Sequence, residues 1–272
     1  MSPELNPPYL MSRTPAGSDG CVSVTADAAA RVLEVAVHGR WTPALRMRAW
    51  TAVTKCFVEH PSAVVVDLRD LGDPLAASAP AWWTMAMTGA RMVPPVSVVA
   101  SLPATTALAA RLNRLGAKRQ LPVFATMPEA RVAVTSRLPL TQRVQLHLTP
   151  RPEAAGQARA LIADVCQAWQ QPRLRPRAAL IISELVGNAV AHAGTDILAT
   201  VSRRGNGMHL AVTDHDPRLP VLLDQPCGNP AEVRHGLQVV HAAATLWGAI
   251  PTKTGKVVWA VVRSHRDPAP VT

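Results

Sequence analysis

Between residues 31 and 125 the hydrophobic period switches repeatedly from two residues to about 3.6 and back, a pattern that a layered α/β fold accommodates. In RVLEVAVH at 31–38, Leu33, Val35 and Val37 share one face, as in a half-buried strand. Thr42-Pro43 then opens a helix, because a hydroxyl followed by Pro caps and preorganises a first turn. Met47, Trp50, Val53 and Phe57 follow at helical spacing, which puts them on one apolar face. VVVDL at 64–68 reads as a strand covered on both faces. A helix after Ser78-Ala79-Pro80, a strand in VSVVAS at 96–101, a helix over 104–116 and a short strand at 122–125 complete a β-α-β-α-β-α-β block. Right-handed crossovers and a layered sheet are expected of it.

A second block follows a break. The stretch between about 134 and 150 carries Pro139 and Thr149-Pro150, with Pro152 just beyond, and holds a strand candidate at Val144, Leu146 and Leu148. Beyond it, Ala158, Leu161, Ile162, Val165 and Trp169 fall in helical register over 152–169, and a second helix, 176–193, opens on Pro176. Strands at 196–203 and 208–213 flank Gly205-Asn206-Gly207, residues that tolerate the positive φ of a tight hairpin turn. A loop over 215–233, a helix at 236–246 and a last hairpin closed by Gly255-Lys256 finish the block. The expected organisation is a flexible arm at 1–20, an α/β layer domain at 21–137, a linker with a first strand at 138–150, an α/β sandwich at 151–263 and a flexible tail at 264–272.

Composition narrows the class. A chain of 272 residues has room for two domains, and 48% hydrophobic with 17% charged residues excludes a wholly disordered or collagen-like polymer. The formal charge of +10 is spread over both halves, so it admits nucleic acid, anionic lipid or an acidic protein as partner without choosing among them. Cys21, Cys56, Cys166 and Cys227 lie far apart with no C-x-x-C pair, which argues against a zinc site or a disulfide scaffold and for a reducing compartment. The first twenty residues lack the charged start and apolar core of a signal peptide, and no run reaches the roughly 18 apolar residues of a spanning helix. A cytoplasmic protein without membrane contact is expected.

The second helix of the second block carries the chemistry. Glu184, Asn188 and His192 stand at i, i+4 and i+8 on one stripe, while Leu180, Ile181, Leu185 and Ala189 occupy another arc. A solvated helix edge is the plain alternative for such a stripe.

ELVGNAVAHA, over 184–193, resembles the N-box of the GHKL (histidine kinase-like) ATPase and kinase superfamily, and within it the anti-sigma-factor serine kinases. The resemblance continues in order through Val212-Thr213-Asp214, Asp216-Pro217-Arg218-Leu219-Pro220, His235-Gly236-Leu237-Gln238-Val239-Val240, Leu246-Trp247-Gly248 and Gly255-Lys256-Val257-Val258-Trp259. It implies an α/β sandwich that holds ATP between helices and sheet under a lid loop. By that resemblance Asn188 is the Mg²⁺ ligand, a hard oxygen donor. Glu184 is the general base for the attacking hydroxyl. Asp214 accepts from the adenine amine, and Gly236 with Leu237 lets backbone N–H groups approach the phosphates. His192 and Arg234 are secondary candidates. Arg234 stands where the family pattern has a glycine, and Val257 where it has a hydroxyl.

The first block is similar to STAS domains, the fold of anti-sigma-factor antagonists, through its strand-helix order, VVVDLRDL at 64–71 and LNRLG at 112–116. That family carries a phosphorylated serine after the VVVDL strand. Here the matching stretch is Leu75-Ala76-Ala77-Ser78, so alanine occupies both serine positions and Ser78 is expected to cap the helix begun by Pro80. Together the resemblances imply a protein serine/threonine kinase acting with Mg·ATP on a STAS-type partner, with the first domain as a docking or homodimerisation surface. The rival reading is a non-catalytic, ATP-sensitive module that sequesters a sigma factor or antagonist. Arg111, Arg114, Lys118 and Arg119 form the densest basic stripe, but without interleaved aromatics nucleic-acid binding is a third and weaker reading. Trp82-Trp83 are expected in the first core, and His209, His215, His235 and His241 lack paired metal-ligand spacing.

Overall fold

The computed structural model describes residues 9–10, 20–27, 32–59, 61–93, 95–115, 120–136, 142–220 and 236–263. It is a mixed α/β protein with two sheets in two compact units: Met11–Pro139, and Leu140–Thr272 together with Met1–Leu10. The first element, β1 (Tyr9–Leu10), lies parallel to Gly248–Ala249, so the stretch read as a flexible arm contains a strand of the second unit. Two residues carry no periodicity to read. The open edge of a sheet supplies the backbone partners that make them a strand.

The Met11–Pro139 unit contains β2 (Cys21–Asp27), β3 (Val32–Arg40), α1 (Pro43–Val58), β4 (Ala63–Asp67), β5 (Leu71–Gly72), α2 (Ala79–Ala90), β6 (Ser97–Ser101), α3 (Ala107–Arg114), β7 (Val123–Phe124) and α4 (Met127–Thr135). The sheet runs β2-β3-β4-β6-β7, with β2 antiparallel to β3 and the other neighbours on that path parallel. Thr42 caps α1 by accepting from the Leu45 N–H at 3.2 Å. The buried stripe of α1 is Leu45, Ala49, Val53, Cys56 and Phe57. Met47 and Trp50, read from spacing onto the apolar face, are instead 61% and 38% exposed, because the stripe through Ala49 and Val53 leaves them on its flank. Trp82 is buried and tilts against Trp41, with ring centroids 5.5 Å apart, while Trp83 is only half-buried. Helix α4 covers one face of the sheet, packing Met127, Ala130 and Val134 on Val32, Ala63, Val65 and Val99. Of the basic stripe, Arg111 and Arg114 lie on α3, and Lys118 and Arg119 lie outside the described residues.

The second unit contains β8 (Arg143–Leu148), α5 (Ala154–Ala168), a 3₁₀ turn at Pro172–Leu174, α6 (Arg175–Asn188), a π-helical turn at Ala189–Ala193, β9 (Ile197–Arg204), β10 (Gly207–Asp214), α7 (Gly236–Ala243), β11 (Leu246–Pro251) and β12 (Lys256–Arg263). Its sheet runs β1-β11-β12-β10-β9-β8, antiparallel apart from the β1–β11 pair. Ile162, Ile181, Ile182 and Leu185 from the helices join Ala199, Leu210, Val212, Trp247 and Ala260 from the strands in one core. That packing fixes α6 against the sheet and decides which of its stripes is left for chemistry.

Candidate functional site

Helix α6 buries Ala178, Ile181, Ile182, Leu185 and Val186, which leaves Glu184 and Asn188 half-buried on the adjoining stripe. Helix α7 starts against that stripe. A Cβ on Gly236 would stand 2.7 Å from Glu184 Oε2 and 3.2 Å from Asn188 Oδ1. A side chain at 236 would push the Glu184 carboxylate and the Asn188 amide aside, and the first amides of that turn have no acceptors within the helix. Asn188 Nδ2 is buried and has no hydrogen-bond partner among the described residues. Leaving such a donor unpaired costs about 1–3 kcal/mol, which a ligand oxygen would offset. An amide here offers a carbonyl oxygen to a hard cation and an N–H to an anion, beside open helix amides. That donor set fits a magnesium-bound phosphate group.

The far end of α7 is tied down by Arg177 of α6. Its Nε and Nη2 donate to the Ala243 carbonyl at 3.0 and 2.7 Å, and its Nη1 to the Arg263 carbonyl at 3.0 Å. Three bonds from one guanidinium to the last residues of α7 and β12 set where α7 lies, and hence where Gly236 sits. Leu237 is half-buried and packs on the core. The structure thus brings together Glu184, Asn188 and Gly236.

His192 stands beyond the α-helical part of the stripe. The α-helical period ends at Asn188, and the π turn over Ala189–Ala193 inserts extra backbone, so the i+8 relation expected for His192 fails. Its side chain is exposed, and its carbonyl accepts from Arg218 Nη2 at 3.3 Å. Arg234 and His235 lie outside the described residues.

Asp214 ends β10, with its side chain 2% exposed. Its Oδ1 accepts from Lys256 Nζ and from the Asp216 N–H, both at 2.9 Å. Lys256 Nζ also donates to the Asp216 carbonyl at 3.0 Å and lies 3.4 Å from Asp216 Oδ2. Arg218 Nε completes the network on Asp216 at 3.0 and 3.2 Å, and its hydrogen bonds, helped by the Lys256 charge, lower the Asp216 pKa from 3.8 to about 2. The hairpin before β12 places Lys256. Thr252 and Gly255 bond to each other through Thr252 N–H to Gly255 O and Gly255 N–H to Thr252 Oγ1, both 2.9 Å, and a Cβ on Gly255 would fall 2.0 Å from the Asp214 carbonyl. Val257, at the position expected to carry a hydroxyl, is a buried partner of Thr213.

Sequence reasoning missed Lys256, Gly255 and Arg177 as site-shaping residues. The readable signal for the first was a lone charge opening the apolar run KVVWAVV.

In the Met11–Pro139 unit, the stretch matched to the serine loop is closed by its own chain. Asp73 Oδ1 accepts from the Ala77 N–H at 2.8 Å, and Oδ2 from the Ser78 N–H at 2.8 Å and from the Ser78 hydroxyl. Ser78 stands at the α2 N-cap in helical conformation and makes no side-chain cap, contrary to expectation, because its hydroxyl is committed to Asp73. Ala76 takes a φ of +52°, and its carbonyl accepts from Arg111 Nη1 at 3.1 Å.

No family model matches the chain, and no curated protein matches it. Among solved structures, an anti-sigma factor antagonist from Mycobacterium paratuberculosis is similar at 19% identity and a TM-score of 0.33, covering 48% of this chain and 98% of that one. A likeness of that size assigns neither a fold family nor a function. Among the described residues, no helix is long and apolar enough to cross a membrane.

Proposed function

We propose that the second unit binds Mg·ATP and acts as an anti-sigma-type regulator, transferring phosphate to a serine or threonine of a STAS-type partner. The observation that carries the nucleotide reading is the meeting of Gly236 with Glu184 and Asn188 around a buried, unpartnered amide nitrogen. Asn188 would hold the metal through Oδ1, the α7 amides the phosphates, and Asp214 the adenine amine. Bound Mg·ATP supplies a phosphoryl group whose charge the metal shares. Glu184 orients and takes the proton of the attacking hydroxyl. The Met11–Pro139 unit, with Ala76 and Ala77 in its loop, serves as a docking or dimerisation surface instead of a phosphorylated switch.

Titration with a fluorescent ATP analogue tests the reading. Asn188→Ala is expected to lose the Mg²⁺-dependent part of the affinity, and equal affinity with and without Mg²⁺ in the unsubstituted protein refutes it. Glu184→Gln is expected to keep ATP affinity within a few-fold while lowering transfer from γ-labelled ATP to a STAS partner by roughly 10²–10⁴. Val257 favours the second reading, a non-catalytic module, because it buries an alkyl group where the resemblance implies a hydroxyl. That reading predicts ATP and partner binding with no transfer to lose.

A further inference from the structure

Lys256 sits in a buried position with its side chain 9% exposed, and its ammonium group has three N–H donors. It donates to Asp214 Oδ1, at the end of β10, at 2.9 Å and to the Asp216 carbonyl at 3.0 Å, and it lies 3.4 Å from Asp216 Oδ2 as an ion pair. The Asp216 N–H supplies a second donor to Asp214 Oδ1 at 2.9 Å. A carboxylate oxygen accepts about two hydrogen bonds, so Oδ1 is filled. Among the described residues no donor is bonded to Oδ2.

We infer that Lys256 is a base-selectivity residue, which narrows Asp214 to a one-oxygen acceptor suited to adenine and unsuited to guanine. The inference rests on the nucleotide reading above. Adenine offers one exocyclic amine beside a ring nitrogen that accepts, so a single free oxygen satisfies it. Guanine offers two adjacent donors, N1–H and the N2 amine, which a carboxylate takes with both oxygens. With Oδ1 filled, one guanine donor enters a buried site without a partner. Lys256 Nζ is turned to Asp214 and Asp216, so it acts on the base through Asp214. Asp216 in turn accepts from Arg218 Nε at 3.0 and 3.2 Å, which holds the second carboxylate that faces the ammonium.

The experiment measures affinities of the full chain for fluorescent ATP and GTP analogues, with Mg²⁺, for the unsubstituted protein, Lys256→Met and Lys256→Arg. Methionine keeps the length and apolar stem and removes every donor. The unsubstituted protein is expected to prefer ATP by tenfold or more. Lys256→Met is expected to shrink that preference about tenfold, mainly by tighter GTP binding, and Lys256→Arg to retain most of it. A residue that only braces the hairpin would weaken both nucleotides equally and leave the ratio unchanged. An unchanged ratio in a folded Lys256→Met protein overturns the inference and leaves the nucleotide reading intact. Should Lys256→Met fail to fold, the unsubstituted ratio and that of Lys256→Arg decide, and equal affinity for the two analogues in the unsubstituted protein overturns it. Binding of neither analogue overturns the nucleotide reading itself.

Discussion

Two buried or half-buried carboxylates in this chain stand at chain reversals and do opposite things with their oxygens. Asp73 spends both: Ala77 and Ser78 fill Oδ1 and Oδ2 from within five residues, and the loop before α2 closes on itself. Asp214 receives its two bonds on Oδ1 alone, one of them from Lys256 on a strand 42 residues away. The first arrangement is a structural clasp, in which a local acid neutralises the amides at a helix start. The second leaves Oδ2 without a bonded donor among the described residues, as recognition requires. What separates a clasp from a recognition group is which oxygens the fold has already used, and burial alone does not reveal it.

The harshest way to break the contrast is Gly255→Ala. The added methyl would meet the Asp214 carbonyl at 2.0 Å, a backbone atom with no flexible side chain to yield. Unfolding in urea is expected to show a loss of about 3 kcal/mol, at the upper end of overpacking costs, together with lost nucleotide binding. Asp214→Ala comes next, with a ten- to hundred-fold loss of ATP affinity, roughly 1.5–3 kcal/mol. Equal ATP affinity in the two proteins would mean that Asp214 is a clasp like Asp73.

Asp73→Ala sharpens the other side. It is expected to lower the stability of the Met11–Pro139 unit by about 1–2 kcal/mol, the scale of a lost helix-start carboxylate, and to leave ATP affinity unaltered. Phosphopeptide mapping after incubation with Mg·ATP is expected to find no phosphate on Ser78, whose hydroxyl is held by Asp73. The smallest effect is in pH. Because Arg218 and Lys256 hold the Asp216 pKa near 2 instead of 3.8, the stability this carboxylate contributes is complete above about pH 4 and is lost as pH falls toward 2. Arg218 is 79% exposed, so the contribution is small, and acid unfolding of Asp216→Asn should differ from the unsubstituted protein only in that window.

Much of the fold was legible because period and caps are local. The alternation in β3, the apolar run of β4 and the Thr42-Pro43 start of α1 each lie within one turn or strand. Helix α4 carries a readable start as well, since Thr126 accepts from the Glu129 N–H as an N-cap, but nine residues give little period. The site divides in the same way. Glu184 and Asn188 share a helix, so their stripe could be read, whereas His192 followed a helical period that the π turn ends. Gly236 against Asn188, and Lys256 against Asp214, depend on packing and on β10–β12 register, which pairs Asp214 with Lys256. No local rule supplies that register.

The strand at Tyr9–Leu10 makes the first unit an insertion in the second, since the chain contributes to one sheet, departs for more than a hundred residues and then comes back to finish it. Two covalent connections, not one, therefore leave the inserted body. A fragment that begins at residue 140 cannot be equivalent to the intact second unit, because it gives up the strand covering β11 and uncovers a row of peptide groups able to capture another strand.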